Sequence, residues 1–328
     1  MSTKELSQNL LASLYGRSVH SLTLVINGVN KTFRIETDCG NCFLRLYRRV
    51  GRSRADIDAE LMAIAAARFG VAKPIALAGG GYVFCYGFEG AERQAVLFEE
   101  ARGNQPAATP ESVGRIASEL AGLHQRMLCA HPIGRPLAPE CRFEQTSAAL
   151  AALGADFHSL RKEVTGMRSS VCGALQSHAA AQGVCHGDIW PGNVHLAGDR
   201  VTFFDFDDCF DGPLVADVAR LLGYLWIAQP AQFELLATIV VEGYRHHLPL
   251  STGNWQLMPP LAQLEEIASV GFLARYCSLE PALWAEAQAR TMQTLDDWSP
   301  NGKAAKVMTA VVFVAAEGGR SRGIICSR

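Results

Sequence analysis

The segment His186-Gly187-Asp188-Ile189-Trp190-Pro191-Gly192-Asn193, continued to Phe204-Asp205-Phe206-Asp207-Asp208, carries the residues best suited to chemistry. It gathers an aspartate, an asparagine five residues on and a strand-end carboxylate, a set suited to Mg²⁺-dependent phosphoryl transfer. Mg²⁺ takes oxygen ligands, usually one or two protein carboxylates alongside phosphates and water. With Asn193 and Asp205 on the metal, Asp188 is left to face a substrate hydroxyl.

Two short strands would position these groups. Val194-His195-Leu196 and Val201-Thr202-Phe203-Phe204 read as β-strands, with Gly198-Asp199-Arg200 as a tight loop. A loop centred on Asp199 puts Asn193 opposite Asp205 across an antiparallel pair, with Cβ atoms roughly 4.5–5.5 Å apart.

Asp188 and Asn193 have the Asp-x₄-Asn spacing of a protein-kinase catalytic loop, and Asp205 stands where the metal-binding Asp of an Asp-Phe-Gly motif would stand. The His186-Gly187-Asp188 start resembles the aminoglycoside phosphotransferase and choline kinase family. The Asp-Phe-Asp-Asp run and Gly212-Pro213-Leu214-Val215-Ala216-Asp217 look most like its bacterial stress-response kinase and type II homoserine kinase branches. This resemblance implies a protein-kinase-like two-lobe fold of the α+β class, with ATP and Mg²⁺ as cofactors. It also implies that Asp217 anchors the backbone of the catalytic loop.

The nucleotide-binding residues follow the family pattern less closely. Arg45 stands where the family more usually has the lysine that pairs with the α- and β-phosphates, and Glu60 is the matching acid. Arginine keeps the charge but is a planar, forked donor, so the exchange is not neutral. A strand arginine beside a solvated helix glutamate is the plainer alternative. Asn27-Gly28-Val29-Asn30-Lys31 occupies the place of the nucleotide loop, with Gly28 and Asn30 toward the phosphates. It has one glycine where a kinase loop has three, and a hairpin turn explains it equally well. Glu99 and Ala101 lie in the segment that, by resemblance, offers backbone groups to adenine; an ordinary interdomain loop is the alternative. Neither a Walker A sequence nor Gly-x-Gly-x-x-Gly is present, which removes P-loop and Rossmann readings.

Within the loop, Asp188 orients the attacking hydroxyl and accepts its proton, positioning mattering more than basicity in a loose transition state. Removing such a group typically costs about 10²–10⁴ in rate. His186 braces the loop by hydrogen bonds. Asp207 and Asp208 remain open among a second metal, a turn cap and a cationic substrate. Glu140, Glu144 and Asp156-Phe157-His158 are candidates for the acceptor's surroundings.

Composition agrees with an enzyme of ordinary globular type. The 328 residues suffice for about two domains, each with a real core. A net charge of −2 argues against a nucleic-acid or anionic-membrane surface as the main partner. Met1-Ser2-Thr3-Lys4-Glu5-Leu6 lacks the apolar core of a signal peptide, and the longest apolar run, Val307 to Ala316, is too short to span a bilayer. Ten scattered cysteines, several inside apolar stretches, fit free thiols, and a cytoplasmic location is expected. Cys39-Gly40-Asn41-Cys42 has no second pair, so it reads as a turn between strands and no zinc is assigned.

Residues 20–100 read as short strands with one helix: Leu22–Ile26, Thr32–Glu36, Cys42–Tyr47, Tyr82–Tyr86 and Ala95–Glu99 are strands, and Ile57, Leu61, Ile64, Ala65 and Arg68 mark the helix. Alternation puts Arg45 on the opposite face from Cys42, Leu44 and Leu46. Beyond residue 105 the period is helical. Thr109-Pro110 caps a helix whose apolar face is Val113, Ile116, Ala117, Leu120, Leu123 and Met127, and Phe233–Tyr244, Leu261–Tyr276 and Leu283–Trp298 repeat the pattern. The expected domains are a nucleotide-binding lobe over 1–100 and a helical lobe over 101–328 that carries the catalytic loop and acceptor site, with a hinge at about 99–104 and the hairpin near their cleft. Ala304 to Ala316 is a terminal helix or strand, and Glu317 to Gly323 reads as flexible and basic.

The expected activity is transfer of the γ-phosphoryl group of ATP to a hydroxyl of a small molecule: an amino alcohol, an aminoglycoside-like or a homoserine-like compound. A protein serine or threonine is the second acceptor class. A nucleotide-binding regulatory pseudokinase is the reading from another class, motivated by Arg45 and the glycine-poor turn.

Overall fold

The computed structural model describes residues 6–48, 52–88, 90–177, 180–249 and 251–321. The chain divides into two compact units, Met1–Asn104 with His195–Asp207, and Gln105–Val194 with Asp208–Arg328.

The first unit is built on a five-stranded antiparallel sheet. Its strands are β1 (Val19–Asn27), β2 (Lys31–Thr37), β3 (Gly40–Leu46), β4 (Phe84–Phe88) and β5 (Ala91–Glu99), in the order β1-β2-β3-β5-β4. Helix α1 (Gln8–Tyr15) precedes the sheet and α2 (Arg54–Ala67) follows β3. The period of two divides β3 as expected. Cys42, Leu44 and Leu46 are buried in a core with Phe33, Ile35, Leu97 and, from α1, Leu11 and Tyr15. Arg45 pairs in register with Thr32 on β2 and Val96 on β5, on the opposite face.

Helix α2 starts at a capping box in which Ser53 and Asp56 bond reciprocally. Its buried stripe differs from the expected one: Ile57, Glu60, Ala63, Ile64 and Ala67 are buried, whereas Ala65 and Arg68 are exposed. The polar Glu60 lies on this buried stripe, 1 % exposed.

The second unit is mainly helical. It contains α3 (Pro110–Met127), α4 (Pro139–Leu153), α5 (His158–Ser177), β6 (Gln182–Cys185), β9 (Phe210–Pro213), α6 (Val215–Ala228), α7 (Phe233–His247), α8 (Thr252–Gln256), α9 (Met258–Tyr276), α10 (Pro281–Asp297) and α11 (Lys303–Ser321). Helix α3 has the predicted Thr109 cap and proline at the first turn, and Val113, Ile116, Ala117, Leu120, Leu123 and Met127 are all buried. One core joins Phe143 and Leu150 of α4, Leu160 and Val164 of α5, Leu264 and Ile267 of α9 and Trp284 of α10. Strands β6 and β9 pair antiparallel, from Gln182 opposite Pro213 to Cys185 opposite Phe210. This pair fixes the entry to the catalytic loop, which starts one residue after β6.

The hairpin consists of β7 (Val194–Ala197) and β8 (Arg200–Phe203). Its turn is two residues, Gly198-Asp199, and not the three expected. The ladder therefore ends at Val194 and Phe203. Asn193 lies before it in a 3₁₀ turn, Pro191–Asn193, and Asp205 lies two residues past β8, so cross-strand pairing does not position either residue.

The tail corrects another expectation. Helix α11 carries the backbone through Ser321, including Glu317 to Arg320, while Arg322 and Gly323 lie outside the described residues, as do Met1 to Glu5. Among the described residues, no single helix is long and apolar enough to cross a membrane.

Candidate active site

The loop between β6 and β7 is held from below by α6. Asp217, in the first turn of that helix and 1 % exposed, accepts the backbone N–H of His186 at Oδ2 (2.7 Å) and of Gly187 at Oδ1 (2.8 Å). Its Oδ2 also lies 2.9 Å from His124 Nε2 on α3, and His124 Nδ1 lies 2.6 Å from the hydroxyl of Tyr244 on α7. Burial alone would raise the Asp217 carboxyl, but the His124 bond and charge, together with the loop N–H groups, hold it below the usual carboxylate range. An ionised carboxylate only accepts, so His124 Nε2 carries a proton toward it.

Gly187 has φ +90, and a Cβ there would stand 2.0 Å from the Asp208 carbonyl oxygen, so no larger residue fits. The His186 ring braces the turn, since its Nδ1 accepts the Asp188 backbone N–H at 3.2 Å.

The Asp188 carboxylate is surrounded by donors. Arg220 of α6 reaches Oδ1 through Nε at 2.8 Å and Nη2 at 2.7 Å. Asn193 Nδ2 donates to Oδ2 at 2.7 Å and to the Asp188 carbonyl at 2.9 Å, and Trp190 Nε1 donates to Oδ2 at 3.2 Å. These two bonds use the N–H groups of Asn193 and leave its amide oxygen as an acceptor that could hold a cation. Asp211 of β9 ties down a separate loop by accepting the N–H groups of Ile133, Gly134 and Arg135 at 2.9, 2.9 and 3.1 Å.

The first unit holds the charged cluster predicted around Arg45. Arg45 Nη1 lies 3.1 Å from Glu60 Oε1 and 2.9 Å from Asp205 Oδ1, and its guanidinium sits 5.7 Å from the Phe98 ring centroid. Tyr47 donates to Glu60 Oε2 at 2.8 Å. Burial pushes the Glu60 carboxyl up to about 7, although Arg45 pulls it down. Asp205 has φ +68, in the left-handed region, and its side chain is 40 % exposed against 2 % for Glu60 and 8 % for Asp207. Of the three acids it is the most exposed.

Asp207 is buried and meets amide and guanidinium donors. It accepts from Asn30 Nδ2 at 2.9 Å and pairs with Arg48 at 3.3 Å and Arg52 at 2.7 Å. Burial opposes its charge, but Arg52, Arg45 and Arg48 keep it below the ordinary carboxylate range. Asn30 is thereby tied to Asp207 and, through Oδ1, to the Arg48 N–H at 2.9 Å. Gly28 lies in the turn between β1 and β2, Glu99 closes β5, and the Ala101 carbonyl contacts His195 Nδ1. Asp208 is exposed. Glu140 contacts Gln176, Glu144 pairs with Arg168, and Phe157 packs its edge on Trp284 in the core.

Several residues of these networks carried no motif. Arg220 does share one face of an otherwise apolar helix with the predicted Asp217, at a spacing of three, and His124 interrupts the apolar stripe of α3. A polar residue on a buried face is the signal that could have found them. Arg48, Arg52, Trp190, Tyr244 and Asp211 had no comparable mark.

A strand-rich unit followed by a helical one, with an Asp-x₄-Asn loop entered from a short strand, defines a protein-kinase-like phosphotransferase fold. The chain belongs to the phosphotransferase enzyme family, whose model matches residues 24–251. An uncharacterized protein of Deinococcus radiodurans is 25 % identical over 281 residues, covering 81 % of this chain and 80 % of its own. Among solved structures, an amicoumacin kinase in complex with AMP-PNP and Ca²⁺ superposes with a TM-score of 0.71 at 17 % identity, over 88 % of this chain and 91 % of that one. A microcompartment-associated aminopropanol kinase gives 0.70 at 18 % identity, over 89 % and 95 %. At such identities these structures speak for the fold.

Proposed function

We propose that the protein transfers the γ-phosphoryl group of ATP, with Mg²⁺, to the hydroxyl of a small molecule of the amino alcohol, aminoglycoside-like or homoserine-like class. The observation that carries this reading is the Asp188 loop, whose backbone is clamped by a buried, ionised Asp217 and whose carboxylate is fixed in orientation. Such rigidity is what a reaction dominated by positioning requires.

Asp188 orients the acceptor hydroxyl and takes its proton as the new O–P bond forms and the bond from the γ-phosphorus to the β–γ bridging oxygen breaks, with ADP as the leaving group. Asn193, through its amide oxygen, and Asp205, through its partly exposed carboxylate, are the residues assigned to the divalent cation. Both are hard oxygen donors, so the donor set fits Mg²⁺. Bound there, the cation would offset charge on the phosphates. Arg45 is assigned to the α- and β-phosphates, held by Glu60, with Gly28 and Asn30 in the turn beside it and the backbone at Glu99 and Ala101 toward the adenine. Support for the acceptor class comes from family membership and from the likeness in fold to the amicoumacin kinase and the aminopropanol kinase above.

The test is ADP release with Mg²⁺-ATP across a panel of amino alcohols, aminoglycosides, homoserine and a serine/threonine peptide, repeated after Asp188→Asn and after chelation. Turnover on a small alcohol that falls about 10²–10⁴-fold in the variant is expected. Turnover that survives Asp188→Asn refutes the role of Asp188, and transfer confined to the peptide refutes the small-molecule acceptor. One observation favours a second reading. Arg45 closes on both Glu60 and Asp205, and nucleotide binding with no turnover across the panel would make the protein a regulatory nucleotide-binding member of its family.

A further inference from the structure

Helix α6 grips the catalytic loop twice. Asp217 takes its backbone, and Arg220, one turn further on, takes its carboxylate. A carboxylate offers about four acceptor directions, and four N–H groups meet Asp188. Arg220 supplies Nε and Nη2 to Oδ1 at 2.8 and 2.7 Å, while Asn193 at 2.7 Å and Trp190 at 3.2 Å meet Oδ2. Any hydroxyl that binds Asp188 must therefore replace a donor already in place.

The two oxygens are not equally replaceable. The Arg220 fork is short, charged and itself anchored, since Nη1 donates to Ser269 Oγ on α9 at 3.1 Å. The Trp190 indole makes the longest of the four bonds and is neutral. We infer that Arg220 is the positioning residue of the catalytic aspartate: it reserves Oδ1 and leaves Oδ2 to take the acceptor hydroxyl, which enters at the place of the Trp190 indole N–H. The inference rests on the proposed role of Asp188. Its consequence is that the angle of the carboxylate is set by α6 before any acceptor arrives, so that the hydroxyl meets an oxygen already aimed.

Steady-state ADP release by the full chain tests this in a double-mutant cycle of Arg220→Met and Asp188→Asn, with Arg220→Lys as the conservative control. Arg220→Met should lower kcat about 10–100-fold with KM for ATP within about 3-fold, because only orientation of the acceptor is lost. Arg220→Lys should recover most of that rate. In the Asp188→Asn background, Arg220→Met should cost less than about 3-fold further, since no carboxylate remains to position. Trp190→Phe should lower KM for the acceptor, as the competing donor is gone.

Losses that multiply in the double variant, a loss that Lys does not relieve and that tracks a fall in melting temperature, or an unchanged kcat in Arg220→Met would each overturn the inference. An unchanged or raised acceptor KM in Trp190→Phe would overturn the assignment of Oδ2. Wild-type turnover in Asp188→Asn alone would instead remove the functional reading beneath it, so the two failures are distinguishable.

Discussion

Asp217→Asn is the most exacting test of the loop's support. The carboxylate takes three donors: His186 N–H and His124 Nε2 at Oδ2, and Gly187 N–H at Oδ1. An amide keeps one oxygen and turns an NH₂ toward the other donors. With the oxygen toward Gly187, two bonds are lost; with the oxygen toward His186, one is lost and the rest become neutral. A hydrogen bond to a charged group is worth about 1.5–3 kcal/mol, and a change of His124 tautomer can recover part of one, so the cost is about 2–4 kcal/mol. At about 2–4 °C per kcal/mol for a domain of 150–250 residues, the melting temperature should fall by roughly 5–15 °C.

The pH dependence sharpens this test. The Asp217 carboxyl is depressed in the folded state, so its stabilisation is present above the unfolded value of about 3.9 and is lost as pH falls through the lower folded value. Asparagine has no such contribution. The gap in melting temperature between the wild type and the variant should therefore be widest at neutral pH and narrow toward pH 3, measured by circular dichroism with both proteins in the same buffers. A variant that melts within about 1 °C of the wild type at neutral pH, or a gap that widens on acidification, would refute the reasoning.

Two further outcomes follow from other groups. The Glu60 carboxyl is raised to about 7 in the folded state, so its contribution is full below the unfolded value and is lost as pH rises through 7. Glu60→Gln should gain stability relative to the wild type between pH 5 and 8, and a relative loss over that range in thermal melts would contradict the assignment. Gly187→Ala forces a Cβ to within 2.0 Å of the Asp208 carbonyl at φ +90. Turnover should drop more than about 10²-fold, because displacement of the loop by an ångström is enough, and near-normal turnover would show that the loop has slack.

How much of this was legible depended on whether the cause was local. The strands of the first unit, Arg45 opposite the Leu44 face of β3, the Thr109 cap and the Asp-x₄-Asn spacing follow from patterns a few residues long. Helix α1 escaped notice because its short apolar stretch finds a partner only when the sheet is assembled. Helices α4 and α5 were missed because their buried positions are spaced among alanines, serines and glycines and the contrast of their faces is weak. The register of the β7–β8 hairpin turned on a two-residue turn where three residues suited a turn equally. Arg48, Arg52 and Arg220 were invisible as partners of Asp207 and Asp188, since those pairings span 159, 155 and 32 residues and nothing in a local window marks them.

The backbone at Asp205 has one more implication. A side chain at φ +68 is strained relative to glycine, so exchange for glycine would relax the backbone there but remove the carboxylate that meets Arg45 at 2.9 Å. Under the proposed role of Asp205 in holding the cation, this turn would keep a carboxylate in place at a backbone cost, and a thermostabilised design of this chain should leave it untouched.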